Sequence, residues 1–403
     1  MKRLRTMDDV LLDGKVVLVR VDFNVPVGAD GLVSEHEDYR IRAALPTIEE
    51  LMQRRCKVVL LTHLSLPGES PPPGGYEQMD MAPIRRRLQE LLHEDVRLLK
   101  HLSGDEVTAV VSGLAAGSVI LLPNVRLDQR EMAGSERLAQ ELASVGEVFV
   151  NEAFSVCHRN HTSVTLVPRF LPACAGRRTA EEYTVLKGLG AEPERPYVAV
   201  VSGAKVGTKL ALLRTLVKQV DRLCLGGVLA NTFLVALRKC STTQCAGDEL
   251  SAAEALWSAA ADKIELPEDV VVGPADGEET DLAGGRIATV SVSEIPPDVG
   301  GVWDVGPRTV RQYVRICAGA RTVMWNGPLG MVERPAYAAG TRRFAAELAS
   351  LPAFKIVGGG DTVTALAAER LLSSFEHVSV GGGAMVALLE GQELPGLIPL
   401  YVS

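Results

Sequence analysis

Short apolar runs that close on a polar or glycine-rich step, each followed by an amphipathic stretch, recur along the whole chain. In the first half such runs predict strands over 15–25 (KVVLVRVDFNV), 57–62, 118–122 and 147–150. Between them, spacing of apolar residues by three and four predicts helices over about 38–53, 82–93 and 134–144. Residues 67–75 (PGESPPPGG) read as a loop, and 166–190 starts with two prolines and then turns helical. In the second half strands are predicted over 197–202, 221–225, 268–272, 321–325 and 376–380, with one more at Lys355–Val357. Helices follow most of them, and 276 to about 300 reads as a polar, hairpin-like segment. Alternation of buried-type strands with helices predicts α/β architecture with mainly parallel sheets and ligands at the strands' C-terminal ends.

Composition narrows this picture. At 403 residues the chain exceeds a typical single core and suggests two domains. It is 47% hydrophobic but only 4% aromatic, which suits Val/Leu-rich sheets covered by helices. A net charge of −8 argues against a nucleic-acid partner while permitting a local basic pocket for a small anion. The seven cysteines are scattered and complete no zinc pattern, so free thiols in a reducing compartment are expected. No signal-like apolar core opens the sequence and no run of about 18 apolar residues occurs, so a soluble, cytoplasmic chain without membrane contact is expected.

The strand ends carry the candidate chemistry. In the first half, runs end at Asp22 and Asn24, at His63, at Arg126, and at His158 with Arg159. One such residue is ordinary; their recurrence on one sheet edge points to an anion pocket. Arg40 and Arg42 open a helix, against its dipole unless an anion lies nearby. Arg85–Arg87 read as a solvated helix face. In the second half, Gly203–Lys209 enters a helix without Walker A spacing, and Lys205 and Lys209 fit either a phosphate contact or two exposed helix lysines. Gly358-Gly359-Gly360-Asp361-Thr362 reads as strand, turn and helix start. There glycine amides can approach a phosphate and Asp361 can hold Mg²⁺, although a plain N-cap reads equally well.

Seven motifs stand in order along the chain: Asp22-Phe23-Asn24-Val25-Pro26, Arg40–Thr47, His158–Ser163, Gly203-Ala204-Lys205-Val206, Trp325-Asn326-Gly327-Pro328, Gly359-Gly360-Asp361-Thr362 and Gly381-Gly382-Gly383-Ala384. Together, across nearly the whole chain, they resemble the phosphoglycerate kinase family. The resemblance implies two Rossmann-like three-layer α/β/α lobes joined by a helical hinge. The first lobe would span 1–170 with the tail 390–403 returning to it, the hinge helix 171–190, and the nucleotide lobe 191–389. It implies binding of 3-phosphoglycerate or 1,3-bisphosphoglycerate by Asp22, Asn24, Arg40, His63, Arg126 and Arg159. MgATP or MgADP would be held by Lys209, Asn326, Glu333, Gly359, Gly360, Asp361 and Thr362, with Asp361 on the metal. Arg40, Lys205 and Lys209 would neutralise the transferring phosphoryl group as the lobes close, in a monomer.

Departures cluster in the first half. The family's His-Leu-Gly-Arg-Pro is His63-Leu64-Ser65-Leu66-Pro67, so Leu66 replaces an arginine. Glu-Asn-x-Arg-Phe becomes Pro123–Leu127, Asn-Asp-Ala-Phe-Gly becomes Asn151-Glu152-Ala153-Phe154-Ser155, and Val380 replaces a threonine. Loss of one charged donor is expected to cost about 1.5–3 kcal/mol of substrate binding, roughly ten- to a hundredfold. Arg130 is a candidate to compensate. The alternatives are a kinase of this fold for another small acid and a non-catalytic nucleotide-binding paralogue.

Overall fold

The structure, a computed structural model, describes residues 3–65, 75–76, 79–203, 206–240, 247–278, 286–296 and 299–402. Leu66, Lys205 and most of the loop 67–75 lie outside the described residues. The chain packs into two units, Met1–Lys187 with Gly383–Ser403, and Gly188–Gly382.

The first unit carries β1 (Val16–Val21), β2 (Lys57–Leu61), β3 (Val96–Leu98), β4 (Val119–Leu121), β5 (Val148–Glu152) and β6 (Ala173–Ala175). They form one sheet in the order β3-β4-β2-β1-β5-β6, every pair parallel. β1 and β2 are mostly Val and Leu, interrupted by Arg20 and opened by Lys57, as suits strands buried on both sheet faces. Val17, Val19, Val58 and Leu60 pack on Ile41, Ile48 and Leu51 of the helix Tyr39–Gln53. β1 sits with β2 on one side and β5 on the other, and loops leaving such a central strand end are where this architecture gathers ligands. The C-terminal tail belongs to this unit: the Arg5 amide donates to the Leu400 carbonyl (2.7 Å) and the Val402 amide to Arg3 (2.9 Å).

The second unit carries β7 (Tyr197–Val201), β8 (Arg222–Leu225), β9 (Ile264–Glu265), β10 (Asp269–Val272), β11 (Ala288–Ser291), β12 (Val302–Val305), β13 (Thr322–Asn326), β14 (Phe354–Gly358) and β15 (His377–Ser379). Six make a parallel sheet, β15-β14-β13-β7-β8-β9. Trp325 on β13 is fully buried, its ring meeting Phe344 edge-on at 5.0 Å.

Three expectations change. The strand near 268–272 leaves the parallel sheet and forms a separate antiparallel one, β11-β10-β12. Its apolar pattern gives a strand but not a partner, and β12, just past Gly300-Gly301, has no turn-bounded run to announce it. The helix expected over 171–190 starts later. β6 occupies Ala173–Ala175 and the helix spans Arg177–Ala191. A three-residue strand is too short to show periodicity, as is β3, and the helix Asp105–Ser112 was likewise not foreseen. Finally, Arg87 is not solvated: it is 9% exposed, and its guanidinium donates to Asp38 (2.9 Å) and Glu90 (2.7 Å).

Candidate active site

Each sheet presents a polar cluster at its strand ends. In the first unit Asp22, one step beyond β1, is the centre. Its Oδ2 accepts from Arg40 Nη1 (2.5 Å) and from Ser155 Oγ (2.5 Å), and its Oδ1 from the Asn24 amide (3.1 Å). Burial would raise the Asp22 carboxyl, but the Arg40 charge and these hydrogen bonds outweigh it and bring it down to about 2. Asp22 is therefore ionised, and it orients Arg40 at the helix start, where an arginine otherwise opposes the dipole.

His63 follows β2 and is buried. Arg20 Nη2 lies 3.3 Å from its Nδ1. A guanidinium carries only donors, so Nδ1 accepts and the proton sits on Nε2. Burial, then the charge of Arg20, hold His63 well below the usual histidine range, so it is a neutral donor. Arg126, near the ends of β4 and β2, stacks 5.8 Å over the Tyr76 ring and lies close enough to act on His63 and His161. Asn124 joins the two loops: its Oδ1 accepts from the Leu64 amide (3.2 Å) and the Arg126 amide (3.1 Å), and its Nδ2 donates to the Leu64 carbonyl (3.0 Å). Arg159 donates to His158 Nε2 (3.1 Å) and lies within the field of Asp22. Asp22, Asn24, Arg40, His63, Arg126 and Arg159 thus share one edge, a locally cationic surface in a chain of net charge −8. Arg130 adds nothing obvious there, since its guanidinium is shared between Asp128 (2.6 Å) and Glu141 (2.8 Å).

Glu152, at the end of β5, does something else. Its carboxylate accepts from the Arg178 amide (2.9 Å), the Thr179 amide (3.0 Å) and Thr47 Oγ1 (2.5 Å), capping the helix Arg177–Ala191. Burial raises it to about 7 against those bonds. Any Cβ at Gly176 would collide with this carboxylate, which accounts for that glycine.

In the second unit the cluster lies where β7, β13 and β14 end side by side. Lys209 Nζ donates to Asn326 Oδ1 (2.9 Å), the Asn326 carbonyl (3.3 Å) and the Ser202 carbonyl. Burial lowers it to about 8, opposed by Asp361. Thr362 Oγ1 accepts from the Gly327 amide (3.0 Å), tying β13's turn to the helix Gly360–Ala368. Gly327 and Gly359 have φ of 97° and 98°, a region that favours glycine, and a Cβ at Gly327 would strike the Ser202 carbonyl. Asp361 is exposed in the first helical turn, beside those side-chain-free residues. A cavity of about 280 Å³ adjoins it, lined by Val332, Glu333, Arg342, Asp361, Thr364 and Glu369. Lys209, Asn326, Glu333, Gly359, Gly360, Asp361 and Thr362 therefore form one neighbourhood. Lys355, which opens the same motif, is turned away to the Leu351 carbonyl (2.7 Å) and Glu376 (3.3 Å).

No group of three metal-ligating side chains occurs among the described residues. A magnesium ion carried by nucleotide phosphates takes one or two carboxylates and keeps several waters, so the exposed Asp361 beside a backbone cradle fits that demand. Sequence reasoning missed Arg20, Asn124, Ser65 and Ser155 as partners of the site. Arg20 carried a signal, a charge inside an apolar strand; Asn124 and the serines act through contacts between distant segments.

Two parallel α/β units, one with a cationic edge and one with a glycine-lined helix start, define a phosphotransferase of small molecules. A family model described as phosphoglycerate kinase matches residues 7–392. The chain belongs to the phosphoglycerate kinase family. It is 42% identical over 402 residues to the phosphoglycerate kinase of Roseiflexus sp. strain RS-1, covering 98% of both chains. Over 406 residues it is 39% identical to that of Coprothermobacter proteolyticus, covering 100% of both. The solved phosphoglycerate kinase of Coxiella burnetii superposes with a TM-score of 0.81 at 34% identity, covering 98% of both chains. That of Pyrococcus horikoshii OT3 superposes with a TM-score of 0.85 at 27% identity, with the same coverage.

Proposed function

We propose that the chain transfers a phosphoryl group reversibly between 1,3-bisphosphoglycerate with ADP and 3-phosphoglycerate with ATP, as a cytoplasmic monomer. The observation that carries this reading is the Asp22-centred edge, where Arg40, His63, Arg126 and Arg159 converge in an acidic chain. Arg40, Arg126 and Arg159 would bind the acid's phosphate and carboxylate as fixed charges. His63 and Asn24 would add neutral donors, and Asp22 would hold Arg40 in place while remaining ionised.

In the second unit Gly359, Gly360 and Thr362 would present the helix start to the nucleotide phosphates. Asn326 and Lys209 would sit beneath them, and Glu333 would line the adjoining cavity. Asp361 would hold Mg²⁺, which on binding neutralises phosphate charge. Lys209, cationic below about pH 8, would stabilise charge on the group in transfer, together with Arg40. Lys205 is assigned the same role from its motif alone. Such a reaction needs positioning and charge, with no covalent intermediate on the enzyme.

Phosphorus NMR of the protein mixed with MgATP and 3-phosphoglycerate tests this. The expected spectrum gains ADP and an acyl phosphate. Inorganic phosphate released without acyl phosphate, or ATP left unchanged, would overturn the assignment. Turnover with a different acid alone would move it to another acceptor, as Leu66 in place of the family's arginine allows.

A further inference from the structure

Two departures from the family pattern meet at the same strand end. Ser65 and Ser155 stand where the pattern has glycine, and both are nearly buried, at 9% and 8% exposure. Ser65 follows β2 and Ser155 follows β5, the two neighbours of β1 in the sheet. Each reaches inward to one of the two polar residues that leave β1. Ser155 Oγ donates to Asp22 Oδ2 (2.5 Å). The Ser65 amide donates to Asn24 Oδ1 (2.9 Å), and Asn24 Nδ2 donates to Ser65 Oγ (3.2 Å). With the Asn24 amide on Asp22 Oδ1 (3.1 Å), each polar side-chain atom of this pair is partnered before substrate arrives.

We infer that Ser65 and Ser155 are positioning residues which clamp Asn24 and Asp22 from both sides in their substrate-binding orientation. The inference rests on the proposed substrate. Glycine at either place supplies no hydroxyl. The Asn24 amide then loses the acceptor for Nδ2, and Asp22 Oδ2 keeps Arg40 alone. A short serine loses little rotamer freedom in making such a bond, so the clamp lowers the ordering cost of binding. It acts next to Leu66, where this chain lacks a charged donor that the family pattern supplies, and it works through order rather than through a new contact to the ligand.

The test uses Ser65→Ala, Ser155→Ala and the double variant in the full chain, with 3-phosphoglycerate affinity by calorimetry and with turnover. The double variant is expected to raise Kd and KM for 3-phosphoglycerate about tenfold, with kcat changed less than about twofold. MgADP affinity should stay the same. Ser155→Thr, which retains the hydroxyl, should stay close to the parent. Tighter substrate binding in Ser155→Ala would overturn the inference, because the hydroxyl would then be competing with substrate for Asp22. A second readout is independent of the ligand: the Asn24 side-chain amide in NMR spectra of the free protein. It is expected to be ordered in the parent and mobile in Ser65→Ala. An unchanged amide signal would overturn the clamp even with the substrate assignment intact, whereas parent protein that ignores 3-phosphoglycerate would overturn the assignment alone.

Discussion

The polar strand-end edge of the first unit is assembled from long side chains, whereas that of the second is assembled mainly from backbone. In the first, Arg40, His63 and Arg126 come from three separate segments and are held by Asp22, Arg20 and Asn124. In the second, Gly327, Gly359 and Gly360 leave the main chain bare, and Lys209 is the half-buried charge set beneath it. A side-chain site chooses its ligand by charge count and spacing; a backbone site accepts any phosphate chain that reaches the helix start. The first can therefore drift in sequence and change substrate affinity by degrees. The second should fail sharply when its lysine or its backbone path is altered. The departures from the family motifs fall mostly in the first unit, as this contrast leads one to expect.

The largest break should come in the second unit. Lys209→Ala removes the charge held between Asn326 and the Ser202 carbonyl, and kcat is expected to fall about a hundred- to a thousandfold. Steady-state rates check this, and near-parental turnover would take Lys209 out of the mechanism.

Next is Arg40→Met, which leaves the buried Asp22 carboxylate with Ser155 and Asn24 but without the cation bonded to it. Stability should drop by roughly 2–3 kcal/mol, read by urea unfolding near neutral pH, with a matching loss of 3-phosphoglycerate affinity. The sign of the pH dependence follows from Asp22 being lowered from 3.8 to about 2 in the fold. Its contribution is complete above about pH 4 and fades as pH falls towards 2, so parent and variant should converge in acid. A variant as stable as the parent at neutral pH would contradict the pairing.

The sequence carried more of the first site than of the second. Strand ends at Asp22, His63 and Arg126 are legible because a charged or polar residue closing a Val/Leu run is conspicuous. The glycine turn before Asp361 is legible as a turn, but its neighbour Asn326 comes from a strand distant in sequence. The core strands of both parallel sheets follow directly from apolar runs. The antiparallel sheet around β10 does not, since its partners are selected by tertiary pairing. Glu152 and Ser155 look like ordinary polar residues in sequence. Only the fold brings one to a helix N-terminus and the other to Asp22.

The smallest effect sharpens the contrast through pH. Lys209, lowered to about 8, loses its proton within the working range, so kcat/KM for the nucleotide should decline above about pH 8. His63, held neutral well below its usual range, and Asp22, ionised down to about 2, do not titrate there. The profile for 3-phosphoglycerate binding should therefore be flat between about pH 5 and 8 once the substrate's own phosphate ionisation is removed. A histidine-like inflection near pH 6.5 in that profile would show His63 carrying charge, contrary to the Arg20 contact.

In the proposed reaction the Asp22 edge and the Asp361 helix start serve one phosphoryl transfer. Steady-state turnover of purified protein with MgATP and 3-phosphoglycerate, coupled to reduction of the acyl phosphate, addresses it most directly. The account predicts a kcat within the usual kinase range of about 1–100 s⁻¹ and a KM for 3-phosphoglycerate that falls in Leu66→Arg. Absence of turnover in protein that still binds MgADP would contradict it.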